Sequence, residues 1–172
     1  MESPDRTVAY PVGGSIHSVL GFMECEQRCV SVEVGDGLCV AAVAPPGLVL
    51  LKANAYLERR PALTHDLEDI DFIARTYEGG FDATTVFERA AEVLKEEHIT
   101  YEHVGAYLLG RDLAGGGFAD AVLAPLLVVL AELKDPMSRS VDDVRGRARL
   151  RPDHDRATIV LRYAAMSLGL GL

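Results

Sequence analysis

The pattern of hydrophobic and polar positions divides the chain into a short β-rich beginning and a long helical remainder. Cys29–Val34 alternates with a period of two, as a half-buried strand does, and Gly35–Gly37 leads from it into the apolar run Leu38–Val43. Two such runs joined by a short glycine-rich turn predict a β-hairpin. Thr7–Tyr10 is a further short extended segment, and His17–Gln27 is interpreted as a short helix or an irregular segment.

From Pro45 onward the apolar residues recur with helical spacing. Pro45 and Pro46 suit the first turn of a helix, where a missing amide hydrogen costs nothing, and Pro61 ends that helix. Thr64 is the expected N-cap of the next helix, whose acidic first turn is favourable against the helix dipole. The predicted buried stripe of this second helix is Leu67, Ile70, Ile73, Ala74 and Tyr77.

The helical pattern continues to the end of the chain. Thr85-x-x-Glu88 has the form of a capping box that opens a helix, and Gly115–Gly117 predicts a break. The remaining predicted helices are Tyr101–Leu109, Ala119–Lys134, Val141–Arg149 and Asp153–Leu168. The predicted fold class is therefore α+β, with a small antiparallel β-hairpin packed against a mainly helical body. Residues 1–43 form the β-containing element and residues 44–172 the helical domain.

Composition narrows the classes of function. The 172 residues are 49% hydrophobic and carry a formal charge of −9, which predicts a folded acidic protein and argues against broad nonspecific nucleic-acid binding. No signal peptide is recognised at Met1, and the longest apolar run, Ala121–Leu133, is too short to span a bilayer. We expect a cytoplasmic protein with reduced thiols. Cys25 and Cys29 have no second cysteine pair with which to complete a zinc site.

Lys52 is the first candidate for chemistry. An apolar helix that presents a single lysine is able to aim it at phosphate oxygens, and Asp66 and Asp69, three residues apart on the next helix, share one face. The short connection between the helices brings them back antiparallel, so we expect Lys52 within salt-bridge reach of one of these aspartates, beside a concavity. The structural alternative is that Lys52 extends from a buried helix into water, while the aspartates serve the helix dipole.

Other polar residues give weaker signals. His98, His103 and His154 lack metal-ligand spacing, and we interpret them as solvated. A local basic run is interleaved with aspartates and is interpreted as a solvated or ion-paired helix face, with partner docking or nucleic-acid binding as the alternative. The run consists of Arg139, Arg145, Arg147, Arg149 and Arg151.

Three stretches resemble the predicted nucleotidyltransferases of the AbiEii toxin-like family, which belong to the polymerase-β-type superfamily. Pro45–Tyr77 resembles that family's "PGL…LK…A…R" helix and the following "KDxxD" helix, with His65 where the family usually has lysine. Tyr10–Phe22 is similar to its "WPP…MSVLGF" stretch, and Gly105–Asp112 to its "GARLLGRD" step. The resemblance implies that Lys52 faces the nucleotide site and that the β-element is a remnant of a nucleotidyltransferase sheet. Asp66 and Asp69 would then orient the lysine or touch a metal.

Nucleotidyl transfer of this type needs three carboxylates that hold two metal ions. Gly13–Ser15 followed by Glu24 and Glu26 imitates part of such a motif, but the family comparison places this stretch after all three carboxylates. We therefore interpret the two glutamates as surface acids and expect no metal site or cofactor. Mg²⁺ and a nucleoside triphosphate are implied if a complete catalytic half is supplied elsewhere.

Three explanations of the missing motif stay open: a truncated gene product, a degenerate relative, or one half of a split enzyme. We expect a nucleotidyltransferase-like protein that is inactive alone. The alternative is a non-enzymatic interaction module, such as a toxin–antitoxin or regulatory partner. The helix Ala121–Leu133 is apolar almost all round and must be covered on every side, which predicts a homo-oligomer or a protein partner.

Overall fold

The computed structural model describes residues 7–9, 16–60, 65–77, 83–95, 99–147 and 155–172. Its strands are β1 (Thr7–Ala9), β2 (Ile16–Ser18), β3 (Cys29–Gly35) and β4 (Leu38–Val43). Its helices are α1 (Phe22–Glu26), α2 (Pro45–Arg59), α3 (His65–Thr76), α4 (Ala83–Val93), α5 (Val104–Gly115), α6 (Asp120–Lys134), α7 (Arg139–Arg147) and α8 (Arg156–Gly169), with a 3-10 turn at Tyr101–His103. The predicted α+β class is confirmed.

The predicted hairpin is formed by β3 and β4, which pair antiparallel as a two-stranded sheet. Asp36 and Gly37 connect the strands, and both have positive φ, as the two central residues of a type I′ turn require. The expected packing against the helical body holds only at the base of the hairpin. Cys29 and Val43 are half-buried there, whereas the side chains nearer the turn are exposed. A second small hairpin pairs β1 with β2.

The α2–α3 pair sits at the start of the helical body. Pro45 and Pro46 occupy the first turn of α2, as the sequence predicts. In α3 the expected stripe is confirmed: Leu67, Ile70 and Ala74 are buried, with Ile73 and Tyr77 half-buried beside them. Pro61 and Thr64, the predicted helix stop and cap, lie outside the described residues.

Helix α5 differs from its prediction. The sequence predicts a helix ending at Leu109, but α5 runs on to Gly115. Gly110 is a packing residue inside this helix, because a Cβ atom there would lie 2.1 Å from the carbonyl oxygen of Met166 on α8. Gly169 is matched to it, since its Cβ would lie 2.1 Å from the carbonyl oxygen of Tyr107. The two glycines let α5 and α8 approach backbone to backbone.

The other predicted helices are present with shifted ends. Helix α4 begins at Ala83, before the predicted capping box, whose Thr85 side chain lies outside the described set. Helices α7 and α8 begin at Arg139 and Arg156. The start of α8 follows from its cap, because the Asp155 carboxylate accepts a hydrogen bond from the Thr158 amide at 2.8 Å.

Helix α6 supplies much of the core but is not covered on every side. Its buried side consists of Val122, Leu126, Val129, Leu130 and Leu133. Leu127 and Val128 are exposed on the other side. None of the helices in the described ranges is both long and apolar enough to cross a bilayer.

Candidate functional site

Lys52 and the two aspartates meet where α2 and α3 run side by side. The Lys52 amine lies 2.5 Å from Asp69 Oδ2 and 3.2 Å from Asp66 Oδ1. The predicted contact is therefore confirmed, and it involves both carboxylates rather than one. The reason is the three-residue spacing on α3, which puts both side chains on the face that α2 covers.

Arg59 is a second cation at this site. Its Nη2 atom lies 2.7 Å from Asp66 Oδ2, so the buried Asp66 carboxylate joins the lysine near the middle of α2 to the arginine at its end. The sequence had suggested no role for this arginine. The available signal was its position two helical turns after Lys52, opposite the acidic first turn of α3.

The electrostatics keep Lys52 charged. Hydrogen bonding to Asp69 raises the pKa of Lys52, hydrogen bonding to Asp66 adds to this, and partial burial opposes it. The lysine is thus a fixed positive charge at neutral pH and is not suited to accept a proton. The two aspartates differ in access to water: the Asp66 side chain is 5% exposed, whereas that of Asp69 is 51% exposed.

A surface groove of about 280 Å³ adjoins this ion-pair cluster. Lys52, Asn54 and Arg59 line it from α2, and the exposed ring of Phe22 lines it from α1. Glu58, also in the lining, accepts a hydrogen bond from the backbone amide of Ser18 at 3.0 Å. The groove thus combines cationic, amide and aromatic groups with the carboxylates of Glu58 and Asp66.

Glu24 and Glu26 are not arranged as a metal pair. Both lie in the short helix α1, where a spacing of two residues turns side chains to different sides. No group of three His, Cys, Asp or Glu side chains able to hold a metal ion is found within the described ranges. Gly13–Ser15, the turn of the imitated motif, is outside them.

The thiols of Cys25 and Cys29 are hydrogen-bonded to backbone carbonyl groups. The Cys25 thiol donates to the carbonyl oxygen of Gly47 at 3.4 Å, and that of Cys29 to the carbonyl oxygen of Cys25 at 3.5 Å. Burial, with a smaller contribution from Glu24, raises the pKa of Cys25. All three cysteines are free, and Cys39 is exposed on the hairpin.

His103 was wrongly interpreted as solvated. It is 6% exposed, and its Nδ1 atom is 2.7 Å from the Thr100 hydroxyl oxygen. Burial lowers the pKa of His103, and the nearby Arg162 guanidinium lowers it further. His98 and His154 lie outside the described residues. Of the predicted basic run, Arg149 and Arg151 also lie outside them, whereas Arg145 and Arg147 belong to α7 and Arg139 is exposed at its start.

Sequence reasoning missed a buried ion pair between α3 and α8. Asp71 and Arg162 are each 2% exposed, with Arg162 Nη1 2.5 Å from Asp71 Oδ1. Arg75 donates to the other oxygen of Asp71 at 3.1 Å, and the Tyr163 hydroxyl lies 3.4 Å from Oδ1. An acidic residue one helical turn after Leu67, inside the predicted apolar stripe, was the available signal.

A third charged cluster ties α5 to its neighbours. Asp112 accepts two hydrogen bonds from the Arg89 guanidinium, at 2.5 and 3.1 Å, and a further one from the Tyr77 hydroxyl. Burial, together with the hydrogen bond to Asp112, raises the pKa of Tyr77. The geometry is that of a bidentate structural pair, so Asp112 joins α4 to α5.

No family model matches the chain, and comparison with curated proteins and with solved structures found no match.

Proposed function

We propose that the chain is a nucleotidyltransferase-like protein, related to the AbiEii toxin group, that contacts the phosphates of a nucleotide through Lys52. The observation that carries this proposal is the placement of a permanently charged lysine at the rim of a groove, held there by two carboxylates. The resemblance of Pro45–Tyr77 to the family's lysine helix supports the same role.

The two aspartates have different parts in the proposal. Asp66 is buried and bound to both Lys52 and Arg59, so it orients the two cations toward the groove. Asp69 is half exposed, and a phosphate oxygen is able to replace it on the lysine amine while Asp66 stays in place. In this proposal Lys52 and the two aspartates only position the phosphate, so we expect no nucleotide transfer by this polypeptide alone.

Binding is tested by isothermal titration with ATP and GTP in magnesium buffer. Lys52→Met keeps the length of the side chain and removes its charge, and Lys134→Met, a half-buried lysine in the last turn of α6, is the matched control. We expect Lys52→Met to bind at least about tenfold more weakly, because a charged hydrogen bond contributes about 1.5–3 kcal/mol. Equal affinities for Lys52→Met and the control, or no binding by the wild type, would refute the nucleotide contact.

Catalysis is tested separately with labelled nucleoside triphosphates, magnesium or manganese, and bulk RNA. We expect no incorporation of label. Metal-dependent labelling that is abolished by Glu24→Gln or Glu26→Gln would overturn our interpretation of these glutamates as surface acids.

A second candidate function, a non-enzymatic interaction module, is favoured by a different observation. The outer part of the β3–β4 hairpin and the outer side of α6 expose apolar residues, including Val34, Leu38 and Val128. Exposed apolar surface of this kind marks interaction sites. Light scattering at micromolar concentration tests whether the chain associates with itself, and a monomeric mass would leave a different protein as the partner. With three free thiols, the proposal includes a cytoplasmic location.

A further inference from the structure

One face of the β3–β4 hairpin is apolar, half-buried at its base and open to solvent toward the turn. The register pairs Val32 with Val40 and Val30 with Ala42, so these four side chains share one face. Val34 and Leu38 extend the apolar surface past the bulge near the turn. A two-stranded hairpin is at best marginally stable in water and needs a third strand or a packed layer on its apolar face.

The outer edge of β4 is also unprotected. Leu38–Val43 contains no charged residue and no proline, the residues that commonly block pairing at an edge strand. In the part of the chain that the structure describes, β3 and β4 form a sheet of two strands, with no third strand on either edge. The backbone of β4 is therefore available to pair with an added strand.

The rim of this surface is acidic. Glu26 lies just before the base of the hairpin, and Glu33 and Asp36 lie near its turn, all three exposed. Arg28 is the one basic residue between Glu26 and Val43, and it is turned inward. Its guanidinium donates to the carbonyl oxygens of Gly116 and Gly117 at 2.7 and 3.1 Å. Negative charge thus lies beside the turn, and Glu26 lies three residues before Cys29, the residue that pairs with Val43 at the other end of β4.

This charge distribution selects the occupant. A second copy paired antiparallel along β4 would place the acidic turn of one hairpin beside the acidic base of the other, so like charges would meet at both ends. We propose that the outer edge of β4 accepts a β-strand of a partner protein, apolar on one side and flanked at both ends by lysine or arginine. Backbone hydrogen bonds supply the affinity of such strand addition, and the apolar face and the rim supply its specificity.

This inference rests on the interaction-module candidate and does not depend on the nucleotide contact at Lys52. The two are distinguishable, because the titrations with ATP and GTP do not probe the hairpin and the assay below contains no nucleotide.

The probe is a fluorescein-labelled peptide of alternating valine and threonine with two lysines at each end, titrated with the full chain and followed by anisotropy. Two companion peptides have glutamate in place of lysine, or N-methyl groups along the edge that would face β4. The test variant is Val32→Thr/Val40→Thr, which keeps β-branched residues on the strands. The control is Val8→Thr in the other hairpin, since Val8 and Val40 are both 41% exposed.

We expect the lysine peptide to bind the wild type and the Val8→Thr control equally, and the double variant about tenfold more weakly. The glutamate and N-methylated peptides should also bind at least about tenfold more weakly. Circular dichroism confirms that the variants keep their helical content. Three results would overturn the proposal: no binding below about 1 mM, equal binding of all three peptides, or a dimer of the wild type that the double variant abolishes.

Discussion

Replacing Asp71 by asparagine tests the buried charge that joins α3 to α8. The substitution keeps the shape of the side chain and removes the negative charge that faces the guanidiniums of Arg162 and Arg75. Asp71 and Arg162 are each 2% exposed, so water cannot replace the lost charge. Removing one partner of a buried ion pair typically costs about 3–5 kcal/mol, because the other charge stays buried.

A loss of this size is large against the total stability of a domain, which is about 5–15 kcal/mol. Urea unfolding followed by circular dichroism should show a midpoint lower by roughly 2 M, given a slope of about 2 kcal/mol per M. The control is Asp142→Asn, which breaks an exposed pair with Arg156 and should cost less than about 1 kcal/mol. Equal losses for Asp71→Asn and Asp142→Asn would refute the argument from burial.

Three further predictions concern pH, packing and thiol access. Burial lowers the pKa of His103, so the free energy of unfolding should fall as pH drops below 6.5, the ordinary pKa of histidine, with a slope of at most about 1.4 kcal/mol per pH unit. His103→Gln should remove this component in urea titrations at pH 5 to 7.5. Gly110→Ala should lower the free energy of unfolding, measured by thermal denaturation, by about 3 kcal/mol, the upper end of the usual cost of overpacking, because its Cβ would strike the α8 backbone. Gly115→Ala, in open space, should change it by less than about 1 kcal/mol. Cys39 should react with a thiol reagent within the mixing time and Cys25 should not, since Cys39 is exposed and Cys25 is 1% exposed with a raised pKa; equal rates would contradict this.

Local patterns predicted most of the elements, because their causes are local. The alternation in Cys29–Val34 and the turn after it predicted the hairpin, and the apolar stripe of α3 was correct. The end of α5 was missed because Gly110 is a helix breaker by local rules and a packing residue by its contact with α8. Its partner is 59 residues away, at Gly169, and the sequence does not reveal which distant helix a glycine will face.

The candidate site was predicted in part, because only some of its contacts are between neighbouring elements. Lys52, Asp66 and Asp69 lie on two consecutive helices, so their meeting follows from one short connection and a three-residue spacing. The ion pair of Asp71 with Arg162 depends on α8 returning across α3 from the end of the chain. That return is a property of the tertiary fold, and no local spacing encodes it.

The positions of these carboxylates on α3 link the core to the groove. Asp69 and Asp71 are two residues apart, so they point to different sides of the helix, one to Lys52 and the other to α8. A variant at Asp71 is therefore expected to disturb the orientation of α3, and with it the lysine, without touching the groove.

Asp71→Asn is thus the appropriate reference for Lys52→Met at a temperature where both are folded. If Lys52→Met weakens nucleotide binding far more than Asp71→Asn does, the loss belongs to the lysine charge. If both weaken it equally, the loss reflects a displaced helix, and Lys52 is a structural residue.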